Sequence, residues 1–145
     1  VSKQAMMKRK VFPKFFVFML SGWLVMGAAP AHAASIKQIQ EQGQAMVRDA
    51  EEMVMHGGMG DGRAILHHCA EVSRQAQAIL KLLPAGNSQG REAAPHLEEA
   101  IKHCKRVEEM GDKVDPGASL NPAIKARAAA REAMKHLAAM KDEGT

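Results

Sequence analysis

The sequence predicts an all-α protein: an up-down-up-down four-helix bundle built from two helical hairpins and preceded by a signal-peptide helix. Three observations lead there. After residue 33 the chain has no aromatic residue and few β-branched ones, while Ala, Met, Leu, Glu, Lys and Arg dominate; straight side chains lose little rotamer freedom in a helix. Gly- and Pro-containing runs cut residues 34–145 into four segments. Within the segments, apolar residues recur at steps of three and four, as on the buried seam of a bundle helix.

The first 33 residues have the three parts of a secretory signal peptide. Lys3, Lys8, Arg9, Lys10 and Lys14 form a basic start, an apolar run extends from Phe15 to Ala29, and Ala31-His32-Ala33 places small residues for a cut before Ala34. A retained membrane anchor needs about 20 apolar residues, and this run is shorter. Its removal changes the composition. Phe12, Phe15, Phe16, Phe18 and Trp23 all lie in this segment, as do five of the 20 basic residues, whereas all 16 acidic residues lie beyond it. The remainder carries a net charge of −1, so the overall basicity gives no ground for nucleic-acid binding or for stable membrane association after cleavage.

The remaining domain, residues 34–145, is long enough for one modest core. The breakers are Gly57 to Gly62, Pro84 to Gly90, and Gly111 to Pro122, leaving helices over about 35–56, 63–83, 91–110 and 121–141. The first seam is Ile36, Ile39, Gly43, Met46, Ala50 and Met53; the second is Ile65, Cys69, Val72, Ala76, Ile79 and Leu83; the third is Ala93, Leu97, Ala100, Cys104 and Val107. The fourth segment is so rich in alanine that its buried face is ambiguous, with Leu120, Ile124, Met134 and Leu137 as one choice. There Asn121-Pro122 reads as an N-cap followed by proline at the first helical position. Short connections join antiparallel neighbours in such a bundle.

A weak internal repeat doubles the hairpin. Asp49-Ala50-Glu51-Glu52 through His56 aligns with His96-Leu97-Glu98-Glu99 through His103, and His68 through Gln75 aligns with Ala129 through His136. Polar or His positions recur seven residues apart, on one stripe of each helix. With these motifs, and with Glu132-Ala133-Met134-Lys135-His136-Leu137, most of residues 45–140 resembles the small metal-binding protein (SmbP) family. That resemblance implies a periplasmic His-rich four-helix bundle that binds copper and other divalent ions. Asp49, Gln75 and Ala129 stand where the stripe would carry His, which makes this chain a His-poor relative.

The histidines also point to metal on their own chemistry. Two residues seven apart on a helix are separated by about 10.5 Å, too far to share an ion. Carboxylates one turn away are better placed: Glu52 for His56, Glu92 for His96, Glu99 for His103, Glu132 for His136, and Glu71 for His67 and His68. Equidistance from the third loop puts His96 level with His136, and across the second loop His68 lies about one turn from His103. His67 faces solvent. Imidazole with carboxylate suits Cu(II), Ni(II) and Zn(II), with Cu(II) first in affinity. The alternative is a solvated flank of ordinary Glu–His ion pairs. Methionines could serve Cu(I), but Met46 and Met53 fall on the apolar seam and read as core.

Cys69 and Cys104 both lie on seams and nearly level across the second loop. In an oxidising compartment such a pair predicts a disulfide. It would close a loop of about 35 residues, worth about 3 kcal/mol in the chain-entropy model. Two buried free thiols, or a Cu(I) site joined by His68 or His103, are the alternatives. No phosphate loop, H-E-x-x-H, C-x-x-C or C-x-x-C-H occurs, so an enzyme has no support in the motifs. The expected function is periplasmic binding of copper-like divalent ions by His56, His68, His96, His103 and His136 with Glu52, Glu71, Glu92, Glu99 and Glu132. The alternative is a structural or partner-binding bundle that docks through the Ala-rich fourth helix. Intact-mass measurement of protein recovered from the periplasm should give a chain beginning at Ala34; a chain retaining the segment before it would overturn the export reading.

Overall fold

The structure, a computed structural model, describes residues 35–141. The segment 1–33 read as an export signal lies outside the described residues. Four helices follow in order: α1 (Ile36–Gly58), α2 (Gly62–Leu82), α3 (Ser88–Glu108) and α4 (Pro116–Ala139), with one 3-10 turn at Gly111–Lys113 before α4. Each helix packs on the next, α4 closes against α1, and α2 approaches α4 across the diagonal. This is the up-down-up-down four-helix bundle that the seams predict. Among the described residues no helix is long and apolar enough to cross a membrane.

Every helix starts on a side-chain cap. Ser35, Asp61, Asn87 and Asp115 each accept a hydrogen bond from the backbone N–H three residues on, at 2.7–3.2 Å, satisfying one of the donors a helix start leaves free. α4 therefore begins at Pro116 and not at residue 121. Asp115-Pro116 supplies the same cap-and-proline pair as Asn121-Pro122, one and a half turns earlier, and the Ser119 hydroxyl donates to Asp115 O at 2.7 Å. Pro122 is thus inside the helix, where it lacks the N–H that would bond the preceding turn. The glycines at 57 and 58 likewise continue α1, and the chain reverses at Gly60, whose φ of 83° suits glycine.

The seams of α1 to α3 are buried as expected, except that Ile36 and Leu83 sit at the rim. The face of α4 differs from the expected one. Ser119, Ala123, Ala126, Ala129, Ala130, Ala133 and Leu137 point inward, while Ile124 is 41% exposed and Leu120 and Met134 are half-buried. The alanine face offered by the sequence as a docking surface is largely the core-facing side. Small residues allow this because the helices come close. A Cβ on Gly43 would lie 2.7 Å from the Met134 Sδ, and one on Gly57 would lie 2.9 Å from Ile65 Cδ1.

Polar links close the bundle around this core. Glu51 of α1 pairs with Arg127 and Arg131 of α4, and the Gln40 amide donates to the carbonyls of Leu137 and Met140. Ser73 of α2 donates to Glu108 of α3 at 2.8 Å. Asn87, besides capping α3, donates to the carbonyl of Lys141.

Two glycine substitutions should move stability in opposite directions. A Cβ at Gly62 would meet the backbone carbonyl of Val114 at 2.7 Å, a contact that no rotamer change relieves, so Gly62→Ala should cost about 1–3 kcal/mol. Gly58 has open space around it, and Gly58→Ala should stabilise by about 0.4–1 kcal/mol. Urea denaturation of the two variants against the parent chain checks both signs.

Candidate metal centre

The antiparallel register of the two hairpins brings histidines together in pairs. Across α1 and α2, the His56 and His68 rings stack with centroids 5.6 Å apart and planes 11° from parallel. Across α3 and α4, His96 and His136 stack at 5.6 Å and 9°. The second pair is the one expected from loop geometry. The first is a correction: His68 turns to α1, not to His103 on α3, and a side chain can face only one of its two neighbours.

Each pair is oriented in the same way. On the second helix of a hairpin, the histidine presents Nδ1 to a residue seven positions before its stacking partner. In the first hairpin that residue is Asp49, with Oδ1 at 3.2 Å from His68 Nδ1. In the second it is Gln89, with Oε1 at 3.0 Å from His136 Nδ1. Both partners are oxygen acceptors, so both imidazoles donate from Nδ1. The neutral ring then carries its lone pair on Nε2, the tautomer of a metal-ligating histidine held by an outer acceptor. Asp49 is itself fixed by the Gln75 amide at 2.6 Å.

A carboxylate stands at the free nitrogen of the first pair. Glu52 Oε2 lies 3.6 Å from His68 Nε2, and Asp49, Glu52 and His68 each bring one donor atom to within 4.8 Å of the others. The His68 side chain is 13% exposed and that of Glu52 is 54% exposed, which places the cluster at the bundle surface with an open side. Glu52 thus reaches across the hairpin to His68, whereas the sequence assigned it to His56. His67 is exposed and packs edge-on against His68.

The second pair has Glu92 in the position equivalent to Glu52, four residues before the stacked histidine. Glu132 also lies in its field. A hydrogen bond from the Lys135 ammonium holds the Glu132 carboxyl below the usual range, and the charges of Lys135, His96 and His136 act in the same direction. Its hydrogen bond is therefore to Lys135, at 2.6 Å. Glu71, expected beside His67 and His68, is taken by Arg74 at 2.7 Å.

His103 stands apart. It is 7% exposed, with Nε2 against Glu99 Oε1 at 3.1 Å and a buried Nδ1 that has no partner. Of the expected one-turn pairs this is the one in direct contact. By the register that joins His96 to His136, its level partner on α4 is Ala129. Burial lowers the His103 pKa below the ordinary value; Glu99 pulls the other way, and Arg106 and Lys102 add to the lowering. Glu99 is itself held low, first by the Lys102 charge.

Cys69 and Cys104 are buried free thiols. Cys104 lies within hydrogen-bonding reach of Cys69, and that contact together with burial pushes the Cys69 thiol far above its ordinary range. The cysteines are adjacent, as their seam positions predict, and neither His68 nor His103 turns its bonded nitrogens to them. The chain matches no known family model, no curated protein and no solved structure.

His103 generates a prediction with a definite sign. A histidine whose pKa is lower folded than unfolded contributes stability that is complete above the unfolded value, near 6.5, and is lost as pH falls through the folded value. Urea stability should therefore drop on going from pH 7.5 to pH 5. In His103→Gln that acid-side loss should shrink; an unchanged loss would show that His103 does not carry it.

Proposed function

We propose that this chain is an exported, periplasmic protein that binds divalent transition-metal ions, Cu(II) foremost, at two equivalent His rungs, one on each helical hairpin. The carrying observation is the repeated geometry. Each rung has two stacked imidazoles, an outer oxygen acceptor on Nδ1 of the second-helix histidine, and a carboxylate one turn before the first-helix histidine. The first rung supplies His68 Nε2 and Glu52, with Asp49 as the orienting acceptor and His56 as the adjacent imidazole. The second supplies His136 and His96, with Glu92 and Glu132 as its carboxylates. Glu71, and His103 with Glu99, lie outside these rungs.

Imidazole and carboxylate donors favour Cu(II) over Ni(II) and Zn(II) by the general affinity order. Two to four donors on an open surface suit exchangeable buffering or carriage, since a closed structural site takes four fixed ligands. The ions are cargo. The SmbP resemblance adds to this reading, because it implies the same compartment, the same bundle and the same class of ion.

Binding to the folded state alone raises the melting temperature by linkage. At about 100 times Kd the gain is about 2.7 kcal/mol, or roughly 10 °C for a domain near 100 residues. Differential scanning of the protein with Cu(II) should show that rise, His68→Ala and His136→Ala should each remove one bound ion in native mass spectrometry, and the double variant should melt as it does without metal. Melting indifferent to excess Cu(II) would sink the proposal.

A further inference from the structure

A different set of donors lies inside the bundle. Met53 on α1, Cys69 on α2 and Cys104 on α3 are all fully buried. The Cys69 thiol donates to the Met53 thioether at 3.1 Å, and Cys104 lies beside Cys69 in the same core. Three sulfur atoms from three helices thus converge on one spot. Met53 packs as core, in agreement with its seam position, yet its sulfur is turned to the thiol.

We propose that Met53, Cys69 and Cys104 form an all-sulfur, three-coordinate site for Cu(I), separate from the imidazole–carboxylate rungs. Thiolate and thioether are soft ligands, which select Cu(I) from the ions that imidazole and carboxylate would accept. The charge of the ion also fits the place. A divalent ion in a dry core would need two thiolates, and the Glu108 carboxylate near Cys69 opposes a second negative charge there. Cu(I) needs one. It displaces one thiol proton, which passes to solvent, and forms a neutral copper–thiolate unit with the second thiol and the thioether as uncharged ligands. Copper enters and stays as Cu(I), so no electron moves.

The geometry asks for a small adjustment. Metal–sulfur bonds of about 2.3 Å put the corners of a trigonal site about 4 Å apart, so the Met53–Cys69 contact has to open by under an ångström. Methionine, with three rotatable bonds, accommodates such shifts. A Cys69–Cys104 disulfide, the sequence expectation, would consume the same thiols; the two states exclude each other.

Fully reduced protein, titrated without oxygen against a coloured Cu(I) chelator, should take its tightest Cu(I) into a site with only sulfur neighbours by X-ray absorption. Met53→Leu keeps the volume and apolarity of the side chain, so helix content should persist while Cu(I) affinity falls roughly tenfold or more, since even outer-shell losses cost that much. Cys69→Ser and Cys104→Ser should lose more. His68→Ala combined with His136→Ala removes the Cu(II) rungs and should leave Cu(I) affinity intact, which separates failure of this site from failure of the rungs. Nitrogen or oxygen around the tightest ion, or unchanged affinity in Met53→Leu, would overturn the proposal.

Discussion

With no aromatic side chain among the described residues, the space between four helices has to be filled by alanine, methionine, cysteine and a few branched aliphatics. Native packing density then requires the helices themselves to come close. Gly43 and Gly57 on α1 and the alanines of α4 permit that approach. Close helices carry their flanking side chains close as well. Imidazoles on neighbouring helices stack at 5.6 Å, and Cys69 of α2 and Cys104 of α3 lie side by side in the core. Larger core residues would push these groups apart, so the candidate sites depend on a core of small side chains.

The seven-residue repeat does the rest of the placement. In an antiparallel hairpin a step of seven along one helix is matched by a step of seven back along the other, so one level pair generates the next. His56–His68 and Asp49–Gln75 are such a pair of levels in the first hairpin. His96–His136 and His103–Ala129 are the corresponding levels in the second. Each hairpin therefore keeps one His–His level, but at opposite ends of the repeat. In the first, the other level became the Asp49–Gln75 pair that orients His68. In the second it left His103 facing alanine.

Much of this was legible in the sequence where a period or a loop fixed it. The seams of α1 to α3 followed from apolar steps of three and four, and His96–His136 followed from distance to the third loop. The same arithmetic across the first loop leaves His56 and His68 about one turn off level, so it does not single out that pair. His68 was matched to α3, because a flank residue has two neighbouring helices and periodicity does not say which it faces. The Glu71 assignment failed for another reason: Arg74 on the same helix competes for that carboxylate, and a guanidinium makes the stronger, two-pronged bond. The start and inner face of α4 were obscured by repetition, since two cap-and-proline pairs lie six residues apart and alanines occupy every face. The thioether of Met53 was read as packing because periodicity gives burial and not the direction in which a sulfur points.

The stripe of histidines contributes little to the fold that carries it. His103 is buried with one ring nitrogen unpartnered, a loss of about 1–3 kcal/mol for a group taken out of water. The stacked pairs hold their rings in one rotamer on the bundle flank, which costs side-chain conformational freedom. Leucine or glutamine would fill the same flank positions without those costs. Asp49 and Gln89 spend hydrogen bonds on fixing a histidine tautomer, which a merely solvated flank does not need. A stability argument accounts for the caps, the seams and the Glu51–arginine links; it leaves the oriented Nε2 atoms of His68 and His136 without a purpose. A ligand that accepts their lone pairs supplies one, and it would offset the cost of holding them in place.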